Sequence, residues 1–333
     1  MHLHWDWRLA RVVDAEGIII DESIWDGVRS SGSVADRIEM VRRNHMTPEA
    51  RDLSERFPEA KSSSTNPNEW PSFSSEEIML LDQASVILAR RGLEESAGDI
   101  DRRMEHLVHA VEEMRVGWTT IESRVVEWVG LFLTEINLDE QRRNIVTEIS
   151  ASSSFEDLLQ RLDTESPLHS PTDEEWAALR GAASSAFEMA DRIKDTEAAI
   201  RSHAESHVPS LSALLGPLLA ARMTVAAHGR SRLSRLPSST VQVLGAEKAF
   251  FAHLRTGSPP PKHGMIFQHP WISRSPRWVR GKISRLLAGK ASIAVRVDEH
   301  GGKVWGDEEV ASVERAVQAV RSRHPKPPSK RRR

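Results

Sequence analysis

Only a few residues in this chain have types and spacings that could support chemistry. Gly281 to Ser284 (G-K-I-S) and Gly289 to Ser292 (G-K-A-S) superficially match a phosphate loop. That motif needs a glycine five residues before the G-K pair and Ser or Thr directly after the lysine. Pro276 and Ser284 stand at the first position, and Ile283 and Ala291 at the second, so both fail. His203 and His207 have the i,i+4 spacing of a metal pair, but no Glu follows the first as in H-E-x-x-H. They read better as polar members of a helical seam, and His2, His4 and Asp6 as exposed residues at a strand end rather than metal ligands. No G-x-G-x-x-G lies between a strand and a helix, and no carboxylate constellation stands out, so no cofactor and no enzyme are expected. What remains is binding chemistry carried by cations.

Those cations are concentrated at the rear. Residues 221–333 carry 23 Lys+Arg against 7 Asp+Glu, whereas residues 1–220 carry 22 against 41. An acidic front and a basic rear point to a polyanion as partner of the rear alone. The densest runs are Arg230, Arg232 and Arg235, and Arg280, Lys282, Arg285, Lys290 and Arg296.

Between these runs lies the stretch Pro237–Gly264, whose pattern predicts one helix over Thr240 to Arg255. Ser239 and Gln242 have capping-box spacing, Gly257 stands where a left-handed stop belongs, and Pro259, Pro260 and Pro261 bar continuation. At 100° per residue, Val243, Leu244, Phe250, Phe251 and Leu254 form a face that should be buried, with Glu247 in its middle. Glu247 is therefore expected to be a buried carboxylate held by a basic or backbone donor. Gln242, Gly245, Ala246, Ala249 and His253 gather opposite, and Lys248 and Arg255 flank the apolar edge. A glycine inside a helix costs about 1 kcal/mol against alanine. Gly245 thus implies either close approach of a ligand or tight helix packing within the domain.

The remaining elements follow from periodicity. Trp7–Val13 and Ile18–Ile20 around D-A-E-G read as a β-hairpin, and Thr47 before P-E-A-R-D-L as a capped helix. Lys61–Ser75 is a polar linker. Ile100, Met104, Leu107, Val111, Met114, Trp118, Ile121, Val125 and Trp128 recur at alternating three- and four-residue steps. A second seam runs Leu179, Ala182, Ala186, Met189, Ile193, Thr196, Ile200, His203, His207. Two such seams predict an antiparallel coiled-coil hairpin, interrupted over about 137–175 except for a short helix at Phe155–Leu162. Pro209–Gly229 reads as a helix pair restarting at Gly216-Pro217, residues 307–323 as an amphipathic helix, and the last residues as a disordered basic tail. The chain has no cysteine, no signal-like start and no apolar stretch near the ~20 residues of a membrane span, which points to an intracellular protein without membrane contact.

Four blocks carry a family resemblance. They are P-S-L-S-A-L-L-G-P-L-L-A-A-R (Pro209–Arg222), P-S-S-T-V-Q-V-L-G-A-E-K-A-F-F (Pro237–Phe251), P-K-H-G (Pro261–Gly264), and R-G-K-I-S-R-L-L-A-G-K-A-S-I-A-V-R-V-D (Arg280–Asp298). In this order they resemble the Nop domain, the RNA-binding module of box C/D ribonucleoprotein scaffolds of the archaeal type. The resemblance implies a mainly α protein. Its parts would be a small N-terminal α/β docking domain with linker (1–75), a long antiparallel coiled-coil hairpin (76–207), an all-α Nop domain (208–320) and the tail (321–333). It implies a non-catalytic scaffold that bridges kink-turn guide RNA and its kink-turn-binding ribosomal-type protein to the methyltransferase fibrillarin, for guide-directed 2′-O-methylation. Fibrillarin would sit on the N-terminal domain, and the coiled coil would self-associate. The compartment would be cytoplasmic in an archaeal host and nucleolar in a eukaryotic one. Alternatives are a spliceosomal-type relative and a coiled-coil assembly protein without specific RNA binding. The RNA-binding residues the resemblance implies are Arg222, Arg235, Gln242, Gly245, Ala246, Lys248, Ala249, Lys262, His263, Arg280, Lys282 and Arg285. The chain departs from the family at Val129, His263 and Leu286, where relatives often carry tyrosine; only His263 keeps a ring.

Overall fold

The computed structural model describes residues 1–62 and 70–327; residues 63–69 of the expected linker and 328–333 of the expected tail lie outside the described residues. The chain divides after Gly98 into two units.

In the first unit, β1 (His2–Trp5), β2 (Leu9–Val13) and β3 (Ile19–Ile24) precede helices α1 (Ser31–Arg42) and α2 (Pro48–Arg56), then β4 (Lys61–Ser62) and α3 (Ser75–Gly98). The sheet order is β3-β2-β1-β4, with β4 parallel to β1 and the other pairs antiparallel. The expected hairpin is β2–β3. Thr47 caps α2 with Pro48 at its first turn, as the pattern required. Helix α1 is an addition to the expected elements; Ser30 and Ser33 form its capping box, a weaker signal in sequence than the usual Ser/Thr with Glu. Leu3, Ala10 and Val12 pack on Ala50 and Leu53 of α2, while Trp7, Val34 and Ala35 pack with Ala84 of α3. Residues 75–98 thus fold with the N-terminal unit and not, as expected, with the hairpin. The apolar face of α3 (Leu80, Leu81, Ala84, Ile87, Leu88) is spent on that core. Asp99 then breaks the helix and caps the next.

The second unit begins with α4 (Ile100–Val129), α5 (Leu138–Ala151), α6 (Phe155–Leu162) and α7 (Asp173–His207). Helices α4 and α7 run antiparallel, as the pairs His207–Asp101, Arg115–Glu197 and Gly117–Met189 fix the register. Met104, Val108, Val111 and Val125 face Leu179, Ala183, Ala186, Ile193 and Ile200, all buried. Over 137–175 the sequence pattern predicts a break with one short helix. That helix is α6, capped by Ser154. Helix α5 is a further addition, begun by the Asn137 cap. Its Ile145 and Ile149 join Phe155, Leu158 and Trp176 in a core that closes the far end of the hairpin.

The near end of the hairpin merges with the remaining helices: α8 (Pro209–Leu215), α9 (Pro217–Ala226), α10 (Arg230–Arg235), α11 (Ser238–Val243), α12 (Glu247–Thr256), a 3-10 turn (Met265–Gln268), α13 (Pro270–Ser273), α14 (Arg277–His300) and α15 (Asp307–Arg323). Met104, Val111 and Ile200 share one continuous core with Leu211, Leu214, Met223, Ile283 and Leu287. Helix α14 is its axis, burying Val279, Ile283, Leu287, Ala291 and Val295. Polar links reinforce the join. The Asp298 carboxylate accepts the free N–H groups of Ser210 and Leu211 at the start of α8, at 2.9 and 3.0 Å. Asp101 accepts from the His207 ring at 2.8 Å and from the Arg230 N–H at 3.0 Å. A Cβ on Gly229 would lie 2.8 Å from the Asp101 carboxylate, so glycine is required for that approach. Burial raises the Asp101 pKa, and these bonds overcome it and hold the carboxyl below its ordinary range. Among the described residues no single helix is long and apolar enough to cross a membrane. The α8–α9 pair has the composition together but bends by 118° at Gly216-Pro217, and its leucines are in the core.

Candidate nucleic-acid interface

The helix expected over Thr240–Arg255 is two helices. The chain breaks at Leu244–Ala246, and Gly245 has φ +80, a left-handed conformation that glycine adopts without strain. Two backbone bonds cause the break. Gly264 N–H donates to Gln242 O and Met265 N–H to Leu244 O, both at 2.8 Å, stitching the P-K-H-G segment along the end of α11. The Gln242 side chain adds a 2.6 Å bond to Lys262 O. A Cβ on Gly264 would lie 2.0 Å from Leu244 O, and one on Gly245 would lie 2.8 Å from Met265 Cε. Gly245 therefore serves a turn and a close internal contact.

The break overturns the burial expected for the second half. Phe250, Phe251 and Leu254 are 42%, 59% and 63% exposed, because α12 is aimed independently of α11. Val243, Leu244, Phe250, Phe251, Pro260 and Pro261 line an open apolar groove of about 400 Å³. Glu247 is exposed and not buried; its carboxylate does find a backbone donor, the Gly245 N–H at 2.8 Å. Lys248 and Ala249 are exposed in the first turn of α12, and Ala246 is half-buried before them. Gly245 and Ala249 do not stack on one helical face, since Gly245 precedes the helix.

The P-K-H-G segment meets the start of α14. Lys262 lies beside Gly281, within 3.8 Å of where a Cβ would stand. The His263 ring stacks on Phe267 with centroids 4.5 Å apart and 18° between planes, and the Arg280 guanidinium lies 5.4 Å from the same ring. Burial lowers the His263 pKa, and the Arg280 and Lys262 charges lower it further. Arg280 is also a strut, donating to Ser275 O at 2.8 Å and Ser273 O at 2.9 Å. Arg285 is one turn on from Gly281 on the same side of α14, and Lys282 and Arg285 are neighbours at i,i+3 spacing. Lys262, His263, Arg280, Lys282 and Arg285 thus form one basic site, with Gln242 bracing its edge.

Two expected residues are engaged elsewhere. Arg222 is held by Glu112 at 2.7 and 3.0 Å and by Gln268 at 2.8 Å, joining α9 to the hairpin. Arg235 bonds back to Ser231 on its own helix. Arg230 is likewise structural, bonding Glu299 and His207 O. Trp278 was not among the expected residues. It is exposed on the face of Lys282, and its only signal in the sequence is an i,i+4 relation to that lysine. Chemically, the site combines unneutralised cations suited to phosphate with, on α12, an apolar surface suited to protein.

Known proteins resemble this chain at the level of family and sequence. The family model described as Nop, snoRNA binding domain, fibrillarin, matches residues 124–319. An uncharacterised NOP5 family protein of Methanocaldococcus jannaschii is 30% identical over 260 residues, covering 73% of this chain and 63% of that protein. Human nucleolar protein 56 is 46% identical over 99 residues, covering 30% of this chain and 17% of its own. The chain therefore spans less than two thirds of these relatives. A chain in a crystal structure of a fibrillarin/Nop5p complex aligns with TM-score 0.43 and 20% identity, covering 90% of this chain and 97% of that one. Since the family model takes in more than half of the residues, including the hairpin's distal part and the whole basic site, the chain belongs to the Nop snoRNA-binding domain family.

Proposed function

We propose that this protein is a non-catalytic, RNA-binding scaffold of a box C/D guide ribonucleoprotein, serving guide-directed 2′-O-methylation by fibrillarin. The observation that carries this is the adjacency of two unlike surfaces on one stitched loop. The P-K-H-G side offers Lys262, Lys282 and Arg285. The G-A-E-K side offers Phe250, Phe251, Leu254 and the apolar groove. A composite ligand, part phosphate backbone and part protein, suits that pairing better than RNA alone, because exposed phenylalanines gain little from phosphates. The composite is a kink-turn RNA carrying its kink-turn-binding ribosomal-type protein. Lys248 and Ala249, exposed in the first turn of α12, would meet the bound complex from the G-A-E-K side.

Two other roles belong to this reading. The N-terminal unit carries fibrillarin, and the hairpin self-associates through apolar surface left open on α4 and α7. A groove of about 240 Å³ lined by Trp118, Val146, Ala186, Phe187 and Ala190 is the surface for that contact. In an archaeal host the particle is cytoplasmic, and in a eukaryote nucleolar. A gel-shift titration of kink-turn RNA, with and without the kink-turn protein, tests the central claim. Tight binding only to the RNA–protein complex is expected. Equal binding to both, or to neither, refutes the composite surface.

A further inference from the structure

From Lys248 to Val297 the chain contains no Asp or Glu, yet it carries ten Lys and Arg. In the middle of this stretch sits Trp278, 37% exposed in the first turn of α14. An indole of this size is usually buried, and an exposed one left free to rotate would offer little to a ligand. Trp278 is fixed. Its Nε1–H donates to His324 O at 2.9 Å, so the end of α15 holds the ring in place. Lys282, one turn along the same face, donates to the His324 ring nitrogen at 2.7 Å. Arg285 continues the face a further turn. Arg274, Arg277 and Arg285 have no ion-pair partner among the described residues.

We infer that Trp278 is a stacking platform for an unpaired nucleobase of the bound RNA, with Lys282 and Arg285 holding the flanking phosphates. A rigid, half-exposed aromatic ring among unneutralised cations is the arrangement by which single-stranded nucleic acid is bound: the ring takes the base and the cations take the backbone. The interior of a duplex cannot use it, because its bases are already stacked on both faces. The lack of carboxylates over these fifty residues removes the repulsion that would otherwise exclude phosphates. His324 is a positioning residue, acting through Trp278 and Lys282. This inference rests on the RNA-binding reading above and adds a contact to an unpaired base.

The test uses the full chain and two kink-turn RNAs of equal length, each loaded with its kink-turn-binding protein, one ending in an unpaired loop and one continued as a closed duplex, read by fluorescence anisotropy over a salt series. Trp278→Ala should weaken binding of the looped RNA about tenfold and of the duplex less than twofold, with the salt slope unchanged. Trp278→Phe should retain most of the affinity, since the ring is kept. Lys282→Ala should weaken both RNAs and lower the log–log salt slope by ~0.7–0.9. Independently, 2-aminopurine placed in the loop should be quenched on binding the unaltered chain and should stay bright on binding Trp278→Ala at saturating protein. Equal losses on both RNAs, a reduced salt slope in Trp278→Ala, or unquenched 2-aminopurine at every loop position overturns the platform. If Trp278→Ala melts early, the quenching by the unaltered chain decides. An unaltered chain that binds neither RNA refutes the RNA-binding reading itself, which keeps the two failures distinct.

Discussion

Gly264→Ala is the sharpest perturbation of the stitched loop. The added Cβ would stand 2.0 Å from Leu244 O and 2.6 Å from the Val243 carbonyl carbon, both backbone atoms with no flexible end to yield. Relief requires the P-K-H-G strand to move outward by about 1 Å, as Cβ contacts below about 3 Å do not occur. That movement breaks the Gly264–Gln242 and Met265–Leu244 bonds. Two backbone bonds contribute about 2 kcal/mol net, and the carbonyls they leave, with the overpacking, cost ~1–3 kcal/mol more. The loss is therefore ~3–5 kcal/mol, and at ~2–4 °C per kcal/mol for a unit of this size the melting temperature should fall by roughly 10 °C. Circular dichroism melts measure it, with Gly257→Ala as the control. Gly257 also has a positive φ, +67, but a Cβ there meets nothing within 4 Å, so only ~1–2 kcal/mol of left-handed strain is expected. A Gly264→Ala protein that melts with, or above, the control refutes the argument that close approach, rather than backbone conformation, demands this glycine.

Arg280→Ala should destabilise the fold by ~2–3 kcal/mol, since it removes two bonds to the carbonyls of Ser273 and Ser275; Arg285→Ala should leave the melting temperature unchanged and lower the salt slope of RNA binding by ~0.7–0.9. The reverse pattern would mean that the strut is Arg285. Burial lowers the His269 pKa to about 4. The unfolded chain takes up this proton below about pH 6.5 while the folded chain does not, so its contribution is whole above about pH 6.5 and is lost as the pH falls towards 4. Urea titrations should show ~2–3 kcal/mol of this loss, and His269→Asn, which keeps an acceptor for the Trp271 N–H, should flatten it. An unchanged slope in the variant would place the proton uptake elsewhere. Phe187→Glu, on an exposed ring in the hairpin groove, should convert a dimer to a monomer in sedimentation velocity without lowering the melting temperature. A monomer before the change would refute self-association through this face.

Local signals in this chain were sufficient wherever an element is set by its own residues. The two seams declared long helices, and Thr47-Pro48, Gly216-Pro217 and Gly257 marked the ends of shorter ones, because caps and stops act within one turn. The charge asymmetry and the four motif blocks located the basic site. Tertiary contacts decided what each motif residue is for. Gly245 looks like an interruption inside a helix until Gly264 and Met265, about twenty residues on, compete for the carbonyls of Gln242 and Leu244. Once those are taken, the helix cannot continue, and the face carrying Phe250 and Phe251 turns outward where periodicity places it inside. Arg222 and Arg280 cannot be told from Lys282 and Arg285 by type or spacing. Only folding brings Glu112 to one and the carbonyls of Ser273 and Ser275 to the other. A cation's role depends on which acceptors lie within about 3 Å, and those come from chain segments that local sequence patterns do not connect to it.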